Sequence, residues 1–331
     1  MKRQLIYALC ALCAAALVCS VAYTSKSSKE TKKQTEPAAT KKISKKQAKV
    51  YMTTDIRPAG IEKVYKALDR KATGKGKVAV KISTGEPGGH NFLSPDLIKP
   101  FVTSVNGTIV ECNTAYGGGR SETAMHRQVA KDHGFTFCPV DIMDAEGSIK
   151  LPVKNGKHLK YDEVGSHYAN YDFYVILSHF KGHAMAGMGG AIKNMSIGIG
   201  SSHGKALIHG AGQDKNIWST EQNKFLESMA EAAKAVADDR GKKILYISVM
   251  NNLSVDCDCS SHPADPEMKD IGILASLDPV ALDKACYDLV YAAPDGQALQ
   301  KRIERQNGYH TLVYGEQIGL GTQNYKLITL K

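Results

Sequence analysis

The chain has 331 residues, of which 43% are hydrophobic, and a formal net charge of +10. This composition is typical of a globular protein and excludes a fibrous or wholly disordered one. Residues 1–50 carry eleven Lys or Arg and two Glu, a net of +9 out of +10, so residues 51–331 carry about one net positive charge. Because nucleic-acid binding by counterion release needs a basic face on the folded part, the sequence predicts no nucleic-acid partner.

The N-terminus has the pattern of an export signal. Lys2 and Arg3 precede an apolar stretch from Leu5 to Ala22, and Ser20-Val21-Ala22 at its end offers a small-residue cleavage site. Three outcomes remain open for residues 1–22: a cleaved signal peptide, lipid attachment at Cys19, or an uncleaved membrane anchor. All three predict an exported protein that is periplasmic, extracellular or membrane-tethered.

Residues 23–50 are rich in Lys, Ser, Thr and Gln and contain almost no large apolar residue. Such a segment cannot bury enough surface to fold, so we expect a disordered Lys-rich tether. Its positive charge favours contact with an anionic membrane surface, which makes that surface a predicted partner.

Strand and helix patterns alternate over residues 51–331. Strands are expected at residues 77–82, 108–112, 136–142, 173–177, 243–249, 271–275 and 325–330. Helices are expected at residues 58–68, 95–105, 122–133, 219–239 and 278–291, with Ser219 and Gln222 as a capping box. The alternation predicts an α/β fold with a mostly parallel sheet flanked by helices, with ligands bound at the carboxyl ends of the strands.

The organisation around residues 149–165 is left open by the sequence. Charged and Gly-rich residues there fit either a hairpin or a boundary between two lobes near 150–165. With two lobes, the functional site would lie between them. In either case residues 51–331 form the α/β part of the chain.

The most informative stretch runs from Ser178 to Lys193, directly after a predicted buried strand. It combines two histidines and two lysines with a cluster of glycines that includes Gly189 and Gly190. Glycines next to titratable side chains indicate backbone that approaches a ligand closely, with N–H groups available to anionic oxygens. The alternative is a Gly-rich crossover whose histidines are merely hydrogen-bonded.

Two further segments suit an anionic ligand. Lys81 and the glycines after it follow the first strong strand, although the order of residues is not that of a P-loop. Gly118, Gly119 and Arg120 follow the next strand and lead into a helix that carries His126. Backbone amides at such a helix start, together with a guanidinium, could bind an anion; a simple turn explains the glycines equally well.

Five cysteines lie beyond residue 50. The odd number argues against a fully paired disulfide framework, and Cys112, Cys138 and Cys286 stand in apolar contexts typical of structural thiols. Cys257 and Cys259 form a C-x-C pair, which we expect to be too close for an easy disulfide. As metal ligands they would supply part of a coordination shell, with His262 or others completing it.

Together these motifs resemble those of the domain of unknown function 362 family over nearly all of residues 51–331. The resemblance rests on the following segments: Ser178–His183, Gly189–Asn194, Asp256–Cys259, Asp270–Ser276 and Asp278–Asp283. Some members of that family carry ferredoxin-like C-x-x-C runs and are called iron–sulfur centre proteins. This chain has no such run, so no intrinsic [4Fe–4S] pair is expected.

More distantly, the chain resembles the nickel-pincer lactate racemase family. His183 is followed ten positions later by Lys193, with Gly189 and Gly190 between them. The resemblance implies that Lys193 holds a pyridinium-derived cofactor covalently, that His209 ligates the metal, and that His126 and His183 exchange protons with a hydroxy acid. Ile192 replaces the arginine usual before that lysine.

The expected function is that of an exported metal- or cofactor-dependent enzyme acting on a small hydroxy-acid-like anion, of isomerase or oxidoreductase type. The metal would be nickel of the pincer type or iron. The alternative is a non-catalytic metal- or iron–sulfur-associated protein that binds or transfers electrons, with a redox protein as partner. Whether the chain is an enzyme at all is left open by the sequence.

Overall fold

An eight-stranded sheet with helices on both faces organises the chain. The computed structural model describes residues 47–72, 76–215 and 217–331. The strands are Ala48–Thr53 (β1), Val78–Lys81 (β2), Gly107–Glu111 (β3), Val140–Ile142 (β4), Ser148–Pro152 (β5), Tyr161–Gly165 (β6), Phe173–His179 (β7), Lys181–His183 (β8), Gly187–Gly189 (β9), Ile244–Met250 (β10), Gly272–Ser276 (β11) and Tyr325–Thr329 (β12). The α-helices are Pro58–Ala67 (α1), Pro95–Ser104 (α2), Thr123–Asp132 (α3), Ala191–Met195 (α4), Ser202–His209 (α5), Gln222–Arg240 (α6), Pro279–Ala292 (α7), Gln297–Arg305 (α8) and His310–Gln317 (α9).

The sheet is mostly parallel, as predicted. Its strand order is β12-β1-β11-β10-β7-β2-β3-β4. Strand β11 is antiparallel to both of its neighbours, and the other paired strands run parallel. The carboxyl ends of β2, β3, β7 and β10 therefore lie along one edge, where an α/β sheet gathers its ligands.

Alternate residues of the central strands pack into two separate cores. On β7, Tyr174 and Ile176 join one buried cluster with α4, α6 and α7, whereas Val175 and Leu177 join another with α1 and α2. Because side chains alternate across a strand, a strand covered on both faces must be apolar at nearly every position. This explains the continuous apolar run that predicted β7.

Three of the sequence-based expectations are corrected by the structure. The strand expected at residues 136–142 is reduced to Val140–Ile142. The long helix starts at Gln222 rather than Ser219, because the Glu221 side chain caps it by accepting a hydrogen bond from Asn223 N. Strand β1 begins at Ala48, inside the segment 23–50 expected to be a tether, since pairing with β11 and β12 orders those residues.

Residues 148–165 form the antiparallel hairpin of β5 and β6, one of the two alternatives for this region. The predicted signal or anchor at residues 1–22, Cys19, and the tether up to residue 46 lie outside the described residues. Across the described part of the chain, no helix combines the length and apolarity needed to cross a membrane.

Candidate functional site

A cavity of about 120 Å³ opens at the carboxyl edge of the sheet, large enough for a small molecule. Its walls come from the residues after β2, β3 and β7, from the β8–β9 hairpin, from α4 and α5, and from the loop between β10 and β11. Of the residues predicted for the site, nine line it: Lys81, Arg120, His183, Gly189, Gly190, Lys193, His209, Cys257 and Cys259. The topology thus brings together residues from five separate segments.

Basic side chains in its walls leave the cavity positively charged. Five basic side chains line it, Lys81, Arg120, Lys181, Lys193 and Lys205, against the two carboxylates Glu111 and Asp258. Charges this close in a partly dry site interact more strongly than in water. An anionic ligand therefore fits the electrostatics of this cavity better than a neutral or cationic one.

Two of the predicted anion-binding cations are already paired within the protein. Lys81 Nζ lies 2.9 Å from Glu111 Oε2, and Arg120 Nε donates to Glu86 Oε2 at 2.8 Å. Burial opposes ionisation of Glu111, but Lys81, with help from Arg120, holds its pKa well below the usual range. Buried ion pairs of this kind hold their side chains in fixed positions. Lys81 and Arg120 are therefore held by carboxylates of the protein and are not free to pair with a ligand.

The glycine turn at Gly118 and Gly119 does not line this cavity. The Gly119 N–H donates to Glu86 Oε1 at 2.6 Å, so the anion bound there is a carboxylate of the same chain. A Cβ on Gly118, whose φ is +131°, would lie 2.6 Å from the same oxygen. The predicted external anion site is therefore satisfied internally, which corrects the cofactor-binding role of these two glycines.

His126 also lies outside the cavity wall. It is fully buried behind Glu111, with its Nδ1 3.3 Å from Asn113 Oδ1 and its Nε2 3.9 Å from Glu111 Oε1. The second distance is too long for a hydrogen bond. Burial lowers the pKa of His126, so it stays neutral next to Glu111. His126 could exchange a proton with a ligand in the cavity only if Glu111 relayed that proton.

Lys193 carries an amine in the cavity wall that has no hydrogen-bond or ion-pair partner among the described residues, unlike Lys81 and Lys181. Burial, then repulsion by Lys81 and Arg120, lowers the pKa of Lys193 to about 8. A lysine desolvated beside other cations is the usual form of an activated amine nucleophile.

The short helix α4 is held in place by Asp283, a residue whose role the sequence did not suggest beyond a family motif. Its carboxylate accepts hydrogen bonds from Ala191 N at 2.7 Å and Ile192 N at 2.9 Å. A Cβ on Gly190 would lie 2.3 Å from Asp283 Oδ1, so glycine is required there. Burial raises the pKa of Asp283 to about 7. This carboxyl positions the turn that carries Lys193.

The two histidines in the cavity present different ring nitrogens. His209 Nδ1 donates to Lys205 O at 2.7 Å, which leaves a lone pair on Nε2. His183 Nδ1 instead accepts from Met185 N and Ala186 N, at 3.1 and 2.9 Å, which places the proton on Nε2. Burial, with repulsion by Lys193, lowers both pKa values, that of His209 to about 4. The free Nε2 lone pair of His209 can thus accept a hydrogen bond or ligate a metal, whereas His183 is arranged as a hydrogen-bond donor.

The predicted metal ligands are only partly brought together. Ligand atoms of His183, Cys257 and Cys259 lie within 4.8 Å of one another, a grouping that includes His183 rather than His209. Cys257 and Cys259 are joined as a disulfide, contrary to expectation. A turn in which Ser260 N donates to Cys257 O at 3.0 Å brings their Cα atoms to 5.2 Å, closer than in an extended strand. A disulfide offers no thiolate, so only the reduced pair fits a metal ion.

Lys181 and Asp258 complete the wall beside this disulfide. Lys181 Nζ lies 2.5 Å from Asp258 Oδ1, and His179 Nδ1 lies 3.2 Å from Asp258 Oδ2. Burial opposes ionisation, but Lys181 and His179 outweigh it and lower the pKa of Asp258 to about 2. His262, the other candidate ligand of this region, is exposed on the surface and does not line the cavity.

The fold and this site define an α/β protein with a basic ligand cavity at the carboxyl edge of its sheet. The chain belongs to the family described as domain of unknown function (DUF362), whose model matches residues 78–288. This confirms the family predicted from the motifs. A comparison with curated proteins finds no match.

Two solved structures show a distant likeness. One is the lactate racemase apoprotein from Thermoanaerobacterium thermosaccharolyticum, at 16% identity over 60% of this chain and 50% of that one, with a TM-score of 0.37. The other is a protein from Thermotoga maritima, at 14% identity over 70% of this chain and 57% of that one, with a TM-score of 0.39. The chain thus spans about half the length of each, and neither likeness bears on function.

Proposed function

We propose that this protein is a metal- or cofactor-dependent enzyme that acts on a small hydroxy-acid-like anion, by isomerase- or oxidoreductase-type chemistry. One observation carries the proposal: Lys193, an amine with no partner among the described residues, shares a positively charged cavity with His183 and His209. Ordinary structural lysines are paired or solvated, so an unpaired, partly buried amine indicates a reactive group.

Three polar groups of the cavity could each contact a different part of such a substrate. Lys205 has backbone carbonyls as its hydrogen-bond acceptors, those of Cys112 and Gly200, so its charge is not neutralised by a direct ion pair among the described residues. It can attract a carboxylate. His183 can donate a hydrogen bond from Nε2, and the Nε2 lone pair of His209 can accept a proton from a hydroxyl.

Lys193 and His209 fit a bound cofactor best. The Lys193 amine can form a covalent bond to a carbonyl or carboxyl group, and the His209 Nε2 lone pair is a metal donor. Gly189 leaves room beside Lys193, because a Cβ there would lie 3.2 Å from Lys193 Cδ. A metal or cofactor held there would supply Lewis-acid or electron-accepting chemistry next to the substrate.

Intact-mass and peptide mapping of protein purified from its own host test the cofactor. A modified Lys193 resists trypsin, so residues 182–205 should appear as a single peptide of increased mass. The Lys193→Ala variant should lose the adduct, whereas Lys131→Ala, at an exposed position of α3, should keep it. An unmodified Lys193, with no metal in elemental analysis, would contradict the dependence on a cofactor.

Substrate recognition is tested by the single tryptophan of the chain. Trp218 lies 5.6 Å from the His209 ring and 6.4 Å from Tyr116, both of which line the cavity. Its fluorescence should respond to lactate more strongly than to propionate, which lacks the hydroxyl group. Substitution of Lys205 with Met should remove that response.

A second candidate function is metal binding or electron transfer without catalysis, through Cys257, Cys259 and His183 and with a redox protein as partner. The 4.8 Å grouping of their ligand atoms favours it. It would need the disulfide to be reduced and His183 to give up its two backbone hydrogen bonds. Metal analysis with and without reductant separates the two functions.

Export of the protein, with its N-terminal segment against a membrane surface, is also a proposal. It rests on the apolar residues 5–22 and the lysines that follow them. Fractionation of host cells and N-terminal sequencing of the mature protein test it; a cytoplasmic protein that begins at Met1 would contradict it.

A further inference from the structure

The disulfide in the cavity wall is accessible from outside on one side only. Cys257 is 9% exposed, whereas Cys259 is more exposed and also lines a shallow surface depression with Tyr116 and Gly117. An external thiol can therefore reach the sulfur of Cys259 first. Exposed disulfides are more often the labile, redox-active ones than structural ones are.

The surroundings of the Cys257 sulfur suit a thiolate. Its Sγ accepts a hydrogen bond from the Cys259 N–H at 3.3 Å. A ring nitrogen of His183 lies within 4.8 Å of the sulfurs, and the proton of that ring is on Nε2 because Nδ1 accepts two backbone hydrogen bonds. Lys181 and Lys193 line the same cavity. N–H donors and ammonium groups lower the cost of a negative charge on sulfur.

We propose that Cys257 and Cys259 are a redox-active couple that exchanges two electrons with an external dithiol. A thiolate of the dithiol attacks Cys259 Sγ and forms a mixed disulfide, while the electron pair of the broken S–S bond passes to Cys257 Sγ. The second thiol of the dithiol, as a thiolate, then attacks the first sulfur of the same dithiol, which is bonded to Cys259 Sγ. This closes the disulfide of the dithiol and releases Cys259. The dithiol is oxidised to a disulfide and gives up two electrons and two protons. Cys259 takes up one of these protons, Cys257 stays a thiolate, and the other proton passes to solvent.

Reduction also changes the charge of the cavity, which ties the couple to the proposed function. The disulfide is neutral, but a Cys257 thiolate adds a negative charge to the wall that faces Lys193. At separations of about 6 Å in a partly buried site, one added charge should weaken the binding of an anion about tenfold or more. This consequence rests on the anion-binding site proposed above; the redox chemistry itself does not.

The test is a titration of the folded protein with dithiothreitol, followed by iodoacetamide and peptide mass mapping. We expect no alkylation of Cys257 or Cys259 before reduction and alkylation of both after it, while buried Cys112 and Cys286 stay unlabelled. In a Cys259→Ser variant, the alkylation rate of Cys257 should rise at a lower pH than in the Cys259→Ser, His183→Ala double variant. Cys138→Ser is the matched control and should leave the titration unchanged.

Three results would overturn the proposal. The disulfide could resist reduction until the protein unfolds, both cysteines could be alkylated without reductant, or the reduced pair could take up one equivalent of Zn²⁺ that blocks alkylation.

Binding of inorganic phosphate, followed by Trp218 fluorescence, tests the change of charge in the cavity. Equal affinity for phosphate in both redox states would refute that change. If the disulfide is reduced as expected but the Lys193 adduct and the fluorescence response to lactate are both absent, the enzyme proposal fails alone, so the failures of the two proposals are distinguishable.

Discussion

The lowered pKa of Lys193 gives the sharpest quantitative prediction. Burial and the neighbouring cations Lys81 and Arg120 bring the pKa from 10.5 to about 8. At pH 7 the neutral, reactive fraction of this amine is then roughly a tenth, against about 0.03% for an unperturbed lysine. The pool of reactive amine is therefore larger by a factor of about 300.

Competitive labelling with an anionic amine reagent, trinitrobenzenesulfonate, measures this fraction. The rate at Lys193 should rise with pH and reach half of its maximum near pH 8, because only the deprotonated amine reacts. Exposed Lys131 of α3 serves as the internal reference. Peptide mass spectrometry between pH 6 and 10 gives both rates in a single sample.

A neighbouring substitution tests the cause of the effect. Arg120→Met removes one of the cations that repel the Lys193 ammonium, so the midpoint at Lys193 should move to higher pH. If the labelling midpoint of Lys193 in the parent protein lies near the ordinary lysine pKa of 10.5, the argument from burial and charge repulsion is refuted.

Three further predictions concern the supports of the site. Asp283→Asn cannot accept both backbone hydrogen bonds of α4 and should destabilise the protein by about 1–3 kcal/mol in thermal unfolding; an unchanged melting temperature would contradict its positioning role. Glu111→Gln leaves Lys81 buried without a counter-charge and should cost about 3–5 kcal/mol in urea unfolding, whereas Glu62→Gln, at an exposed pair on α1, should cost under about 1 kcal/mol. The pKa of Asp258 is lower in the folded protein than the ordinary 3.8, so the stability that its ionised form contributes should be complete above about pH 4 and lost as the pH falls towards about 2. The difference in free energy of unfolding between the parent protein and Asp258→Asn should therefore shrink over that range. A constant difference would refute the ion pair with Lys181.

The interior of the fold was predictable because its patterns are local. Strand β7 is apolar at nearly every position since it is covered on both faces, and Pro279 after Asp278 predicts the start of α7. Strand β1 was missed because Ala48–Thr53 contains lysine and threonine and is ordered by β11 and β12, which are distant in sequence. The hairpin of β8 and β9 is too short to leave a periodic pattern.

Part of the cavity lining was predictable from composition, because histidines, lysines and glycines crowd the segment after β7. The resemblance to the racemase family singled out Lys193, His183 and His209, and all three line one cavity. The partners of the site residues were not predictable. Glu86 occupies the turn at Gly119, and Glu111 neutralises Lys81, and neither contact is encoded by spacing because each joins strands or loops about thirty residues apart.

The sequence alone determined that strands alternate with helices and that reactive side chains follow the strands, because hydrophobic periodicity and glycine content are properties of short segments. Only the tertiary structure decided which charges are paired and which amine is left free, since that depends on which strand ends become neighbours in the sheet. It also joined Cys257 to Cys259, because a turn, and not an extended strand, brings their sulfurs together in the wall of the cavity.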